Sequence, residues 1–215
     1  MNCLLVAATA REIKPFIEQY SESFHEKHNI DILISGIGLT ATTYHLCKQV
    51  FFKKYGLVIQ AGVAGCFNEK LPLGTVVAVK QDTIADQSVV ELKQLKTLFD
   101  LKLLPYNQPP YKKGWLMNPY KNLLKASKLQ TVKGISINEI STSKQKIQFY
   151  RKTFDAAVES MEGAALHYVC LKEKIPFLQI RSVSNYIGER NKKKWNMKAS
   201  IENLNRELTR LLKIF

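Results

Sequence analysis

Residues 156–185, AAVESMEGAALHYVCLKEKIPFLQIRSVSN, decide the fold. Positions 156–160 are strand-like, 162–174 follow a helical pattern, and 177–184 form an apolar run of the length a buried strand needs. That run ends in polar groups, Arg181, Ser184 and Asn185. Strands that alternate with helices build a layered α/β fold, and open α/β sheets collect their ligands at strand ends.

The same alternation extends outward. Residues 2–9 predict a buried strand and 11–20 a helix with Ile13, Phe16, Ile17 and Tyr20 on one face. A strand over 30–35 runs into Ser35-Gly36-Ile37-Gly38, a helix follows over 39–54, and a strand over 57–61 is closed by a Gly62-Val63-Ala64-Gly65 turn. Residues 73–85 are β-rich. The segment 87–128, broken by Pro105, Pro109, Pro110 and Pro119, is the least regular, with Asn118-Pro119 placed to open a short helix. A strand over 131–138 and a helix over 143–153 precede the opening stretch. After it, 197–213 carries Ile201, Leu204, Leu208, Leu211 and Leu212 on one helical stripe. No repeat or low-complexity tract divides the chain, so 1–215 reads as one domain.

Composition narrows the class. With 46% hydrophobic and 23% charged residues the 215-residue chain is globular, and 10 Gly and 7 Pro exclude a collagenous or linker-like sequence. The first nine residues are apolar but lack a basic leader, and Arg11-Glu12 follows at once, which favours a buried strand over a signal peptide. No apolar run reaches a membrane span. The net charge of +14 admits a nucleic-acid partner, but lysines are scattered, with short clusters at Lys53-Lys54, Lys112-Lys113 and Lys192-Lys193-Lys194, and clustering is what such a footprint requires. Salt-dependent binding to a duplex or single strand would be its mark. Cys3, Cys47, Cys66 and Cys170 lie far apart without a CxxC, as expected of free thiols in a cytoplasmic protein. His25, His28, His45 and His167 show no zinc-site spacing, so neither a metal nor another cofactor is expected.

Several residues invite chemistry. Glu12 and Glu162 each follow a strand, where a carboxylate can act on a ligand or simply favour a helix N-terminus. Arg181 sits inside an apolar strand, and its burial demands a carboxylate partner. The two glycine-containing turns either admit a flat ligand or only turn the chain.

Taken together, SGIG, AGVAG, VESMEGAAL and RSVSN occur in the order seen in the purine nucleoside phosphorylase/hydrolase superfamily, and the chain resembles its methylthioadenosine/S-adenosylhomocysteine nucleosidase branch. Within it, VESMEGAAL with SNYIGERNKKKW is similar to futalosine hydrolases, which release hypoxanthine from futalosine in menaquinone synthesis. The resemblance implies a three-layer sandwich with a central mixed sheet flanked by helices, no cofactor, a small-molecule nucleoside substrate and a homodimer or higher homo-oligomer. It implies that Glu12 activates water, that Met161 and Glu162 hold the ribose, and that Ala64 and Gly65 line base and sugar. Ser184 and Asn185 would face the purine, with Arg181 beneath. Adenine-specific members carry Asp at the position of Asn185; an amide suits a 6-oxopurine instead. Arg190 or one of Lys192–Lys194 could meet a carboxylate on a 5′ extension, with Trp195 as a wall. Phosphorolysis stays open, although Glu12 would repel a phosphate.

Overall fold

The computed structural model describes residues 2–19 and 29–215. Tyr20, His25 and His28 therefore lie outside the described residues. The first half comprises β1 (Cys3–Ala7), α1 (Ala10–Gln19), β2 (Ile30–Ile34), α2 (Leu39–Phe52), β3 (Leu57–Cys66) and β4 (Val76–Asp82). A small hairpin β5 (Ser88–Glu91) and β6 (Gln94–Thr97), then β7 (Leu116–Met117) and α3 (Lys121–Ser127), occupy the irregular middle. The chain finishes with β8 (Gln130–Ser136), α4 (Lys144–Phe154), β9 (Val158–Ser160), α5 (Gly163–Lys172), β10 (Phe177–Tyr186), a 3-10 turn (Lys192–Lys194) and α6 (Met197–Ile214).

The main sheet is mixed, in the order β10-β4-β8-β9-β3-β1-β2, and β10 also pairs with β3, so five of its strands close on themselves. Period-2 alternation in β1 creates the layers. Cys3, Leu5 and Ala7 pack with Ile13 and Phe16 of α1 and with Leu204, Leu208, Leu211 and Leu212 of α6. Leu4 and Val6 point the other way, onto Leu46 and Val50 of α2 and Leu166 and Val169 of α5. Each fully buried leucine contributes about 1.5–3 kcal/mol, so the stripe on α6 holds that helix firmly over the sheet.

Four local expectations change. Gly62 to Gly65 is no turn but the continuation of β3, held by pairing to β10 and β9. Ile17 is 39% exposed and leaves the α1 core stripe. Strand β9 starts at Val158, because the chain leaves α4 through Asp155 in a left-handed conformation. The short helix opens at Lys121, since the Asn118 side chain accepts from Tyr120 N at 2.8 Å and forms a local turn before the helix begins. No described helix is long and apolar enough to cross a membrane.

Candidate active site

A cleft of about 350 Å³ opens where β1, β3, β9 and β10 end. Glu12 is fixed there by a local motif legible in the sequence, Thr9-Ala10-Arg11-Glu12. Thr9 precedes the first turn of α1, and Glu12 Oε2 accepts from Thr9 N at 3.1 Å and from Thr9 Oγ1 at 3.2 Å, the reciprocal half of a capping box. Its other oxygen, Oε1, accepts from Val63 N at 3.0 Å. Burial pushes the Glu12 carboxyl above its ordinary range, against the Val63 N–H and the Arg181 charge that favour its ionised form; Glu162 adds to the upward push.

The backbone beneath Glu12 has an unexpected support. Pro15 interrupts α1, and the side-chain amide of Asn205 in α6 enters the gap. Asn205 Nδ2 donates to Glu12 O at 2.8 Å, and Phe16 N donates to Asn205 Oδ1 at 3.0 Å. Nothing local in the sequence reveals this bridge, because its partners are 189 and 193 residues apart.

Glu162 stands at the position before α5, makes no side-chain bond to the helix end, and is 6% exposed. Its Oε1 accepts from Gly38 N at 3.2 Å, and its Oε2 lies 3.5 Å from Arg181 Nη2. Gly38 has φ of 92°, in the region that favours glycine, so the SGIG turn aims a backbone N–H at the carboxylate. Arg181 itself does not line the cleft. It is 1% exposed, donates from Nη2 to Gln60 Oε1 at 2.8 Å, and lies behind Glu12 and Glu162. Its strand neighbour is Gly62. A methyl group on Gly62 would collide with Arg181 Nη1 and come within 3.0 Å of Glu12 Oε1. Gly62→Ala is therefore expected to cost about 1–3 kcal/mol by overpacking and to lower Tm by roughly 2–4 °C per kcal/mol; a thermal melt checks it.

Behind Arg181, buried Asp82 accepts from Ser136 Oγ at 2.9 Å and has its carboxyl pushed by burial up to about 6. His167, also fully buried, donates from Nδ1 to Leu116 O at 2.8 Å, and burial lowers it to about 4, so it is neutral near pH 7.

One wall of the cleft depends on a bulge. Pairing of β10 with β3 shifts register between Val183 and Asn185, so the consecutive residues Ser184 and Asn185 both line the cleft. Ser184 Oγ, with one hydrogen to donate, lies 2.8 Å from Asn185 Oδ1 and 3.2 Å from Ala64 O, and Asn185 Nδ2 donates to Tyr186 O at 3.2 Å. An amide nitrogen carries two hydrogens, so Asn185 keeps one N–H beyond its bond to Tyr186; the Ile187 side chain packs beside it over Gly65.

Ala64, Gly65, Met161 and Arg190 also line the cleft. The Arg190 guanidinium sits over the Trp195 ring, 5.8 Å from its centroid. Lys192, Lys193 and Lys194 do not line the cleft: they form an exposed turn in which Lys194 pairs with Glu189 at 2.8 Å. Reasoning from the sequence missed Glu159, which lines the cleft and accepts from Ser141 Oγ at 2.6 Å. Among the described residues no group of three or more His, Cys, Asp or Glu could hold a metal ion.

The phosphorylase superfamily model matches residues 6–215. A futalosine hydrolase of Thermus thermophilus is 26% identical over 182 residues, covering 84% of this chain and 80% of that protein. A 5′-methylthioadenosine/S-adenosylhomocysteine nucleosidase of Buchnera aphidicola is 24% identical over 200 residues, covering 88% and 80%. The native structure of a Helicobacter pylori futalosine hydrolase superposes with a TM-score of 0.82 at 20% identity, covering 100% of this chain and 98% of that one, a match of fold.

Proposed function

The chain belongs to the phosphorylase superfamily, and from that premise we propose that it hydrolyses the N-glycosidic bond of a 5′-extended 6-oxopurine nucleoside. The substrate is futalosine, cleaved to hypoxanthine and dehypoxanthine futalosine in menaquinone synthesis. The observation that supports this reading is the Asn185 amide in the cleft wall, whose nitrogen donates one of its two hydrogens to Tyr186 O and keeps a second to donate. That donor suits O6 of hypoxanthine, whereas the 6-amino group of adenine is itself a donor and gains nothing from it; N7 accepts in both bases and does not separate them.

In this mechanism the bond to the ribose lengthens and the sugar becomes oxocarbenium-like, as in glycoside cleavage generally; Asn185 hydrogen-bonds the base as charge builds on it, and the departing hypoxanthine takes its proton from solvent, since an amide has none to give up. Glu162 accepts from the ribose hydroxyls with Met161 beside it, fixing the sugar for attack. Glu12, basic because it is buried, takes a proton from a water at the anomeric carbon. Arg181 holds the two carboxylates from beneath, and Ala64 and Gly65 give the base and sugar a flat floor. Glu12, Glu159, Glu162 and Glu189 outnumber Arg11 and Arg190 around the cleft. Such a rim disfavours a phosphate nucleophile and supports hydrolysis over phosphorolysis.

Arg190, held against Trp195, is the group placed for a carboxylate on the 5′ extension. The enzyme is cytoplasmic and a homo-oligomer in this account. Ile37, 62% exposed, lines the cleft, and Tyr44, 61% exposed, lies on α2; these are exposed apolar side chains of the kind a second copy would cover.

Relatives named for adenine nucleosides support a second reading, and one substitution separates the two. Asn185→Asp is expected to shift the ratio of kcat/KM for futalosine over methylthioadenosine toward the latter by about 10–10²-fold, with released bases quantified by chromatography. A variant that gains on neither substrate relative to the other contradicts the role of Asn185.

A further inference from the structure

Glu162 stands at the position where a side-chain oxygen ordinarily accepts from the first backbone N–H groups of a helix. Its carboxylate turns elsewhere, to Gly38 N and the Arg181 guanidinium. Two serines that lie opposite one another on β9 and β8 serve the helix instead. Gly163 N donates to Ser160 Oγ at 3.3 Å, and Ala164 N donates to Ser136 Oγ at 2.8 Å.

Ser136 is in turn held by a buried acid. A hydroxyl has one hydrogen and two lone pairs. Ser136 gives that hydrogen to Asp82 Oδ1 at 2.9 Å, which leaves its lone pairs for the helix. The room for this acid is built into two other elements. Asp82 is fully buried at the end of β4, and a methyl group on Gly163 of α5 would lie 2.2 Å from its Oδ2. A methyl group on Gly134 of β8 would come within 3.2 Å of the same oxygen. Among the described residues Asp82 forms no ion pair within 4.0 Å, so its charge rests chiefly on the Ser136 bond and the positive end of α5. Burial pushes its carboxyl up to about 6, against Ser136, Arg181, Gln179 and Thr83, and it is mostly ionised near pH 7.

We propose that Asp82 is a positioning residue: by orienting the Ser136 hydroxyl it supplies the cap of α5 and keeps the Glu162 carboxylate free to accept from the ribose hydroxyls. Without that brace, the helix N–H groups and the ribose compete for one carboxylate. This rests on the proposed role of Glu162 in holding the ribose, and not on the identity of the base. Neither Asp82 nor Ser136 lines the cleft.

The test compares a ribonucleoside with its 2′-deoxy counterpart, using whichever of futalosine and methylthioadenosine the wild type cleaves faster. Wild type is expected to favour the ribonucleoside. Asp82→Leu removes the acceptor of the Ser136 hydroxyl, and Ser136→Ala removes the cap itself. Each should narrow the kcat/KM ratio by about 10–10²-fold. Asp82→Asn keeps an oxygen for Ser136 and should hold the ratio near the wild-type value. If Asp82→Leu does not fold, Ser136→Ala, which adds no bulk, carries the comparison together with Asp82→Asn.

A loss of equal size on both substrates in Ser136→Ala overturns the inference, since the pair would then serve stability alone. So does an Asp82→Asn variant whose ratio narrows as far as that of Ser136→Ala, because charge rather than the brace would be responsible. A wild type indifferent to the 2′-hydroxyl overturns the ribose role of Glu162, and this inference with it. A preference for methylthioadenosine overturns the proposed substrate and leaves this inference standing on its own ratio.

Discussion

Glu12→Gln is expected to lower kcat by about 10²–10⁴-fold, the range of a positioned general base, with KM close to wild type. The side chains are isosteric, so the cleft keeps its shape and binding persists. What disappears is the capacity to take a proton from water. The pH profile supplies the second half of this expectation. Burial raises the folded-state pKa of Glu12 despite the Val63 N–H and Arg181, with Glu162 also pushing upward. In the proposed mechanism the active form is ionised, so activity is expected to fall as pH falls through that raised value, with the acid limb of kcat/KM above the ordinary glutamate value of about 4.3. In Glu12→Gln that limb should vanish from the residual rate. Stopped assays across pH measure both; an acid limb that survives at the same position would assign it to another group.

Arg181→Met should produce the largest loss of stability, about 3–5 kcal/mol, because it removes one partner of a buried charge cluster. Arg181 is 1% exposed, and its guanidinium sits among Glu162 at 3.5 Å, Glu12 and the buried Asp82. Methionine fills much of the volume, so the deficit is chiefly electrostatic. Its pH dependence follows from the direction of the carboxyl shifts. A carboxyl whose folded pKa is raised favours the folded state below its unfolded pKa, and that advantage is lost as pH rises through the folded value. Asp82 is already raised to about 6 with Arg181 present, and Glu12 is raised as well. Without the guanidinium these groups take up protons more readily on folding, so the deficit should shrink as pH is lowered from about 8 toward 5. Urea titrations of variant and wild type at several pH values test this; a deficit independent of pH would show that packing rather than charge is responsible.

Much of this was legible in the chain. The strand–helix–strand pattern of 156–185 appears as β9, α5 and β10, and the leucine stripe of the last helix lies where its spacing put it. Glu12 and Glu162 could be located because each follows a strand, a local feature. What escaped depends on lateral relations between strands. Gly62 to Gly65 resembled a turn, since glycines usually mark one; here Gly62 gives way to the Arg181 guanidinium crossing from the next strand. Glu159 was invisible as a site residue because its place in the cleft comes from its register with Gly65 and from Ser141, 18 residues away. The bulge that lets adjacent Ser184 and Asn185 share the cleft leaves no mark in the periodicity of their strand. Asn205, bridging the Pro15 break in α1 from the far end of the chain, is legible only after folding.

The central claim is that water, activated by Glu12, cleaves a 6-oxopurine nucleoside. It is tested most directly by offering the wild-type protein equimolar futalosine and methylthioadenosine in phosphate-free buffer and following the released bases. The account predicts that hypoxanthine appears first and at a rate that added phosphate does not raise. Adenine released in preference, or a reaction that starts only when phosphate is supplied, would contradict it.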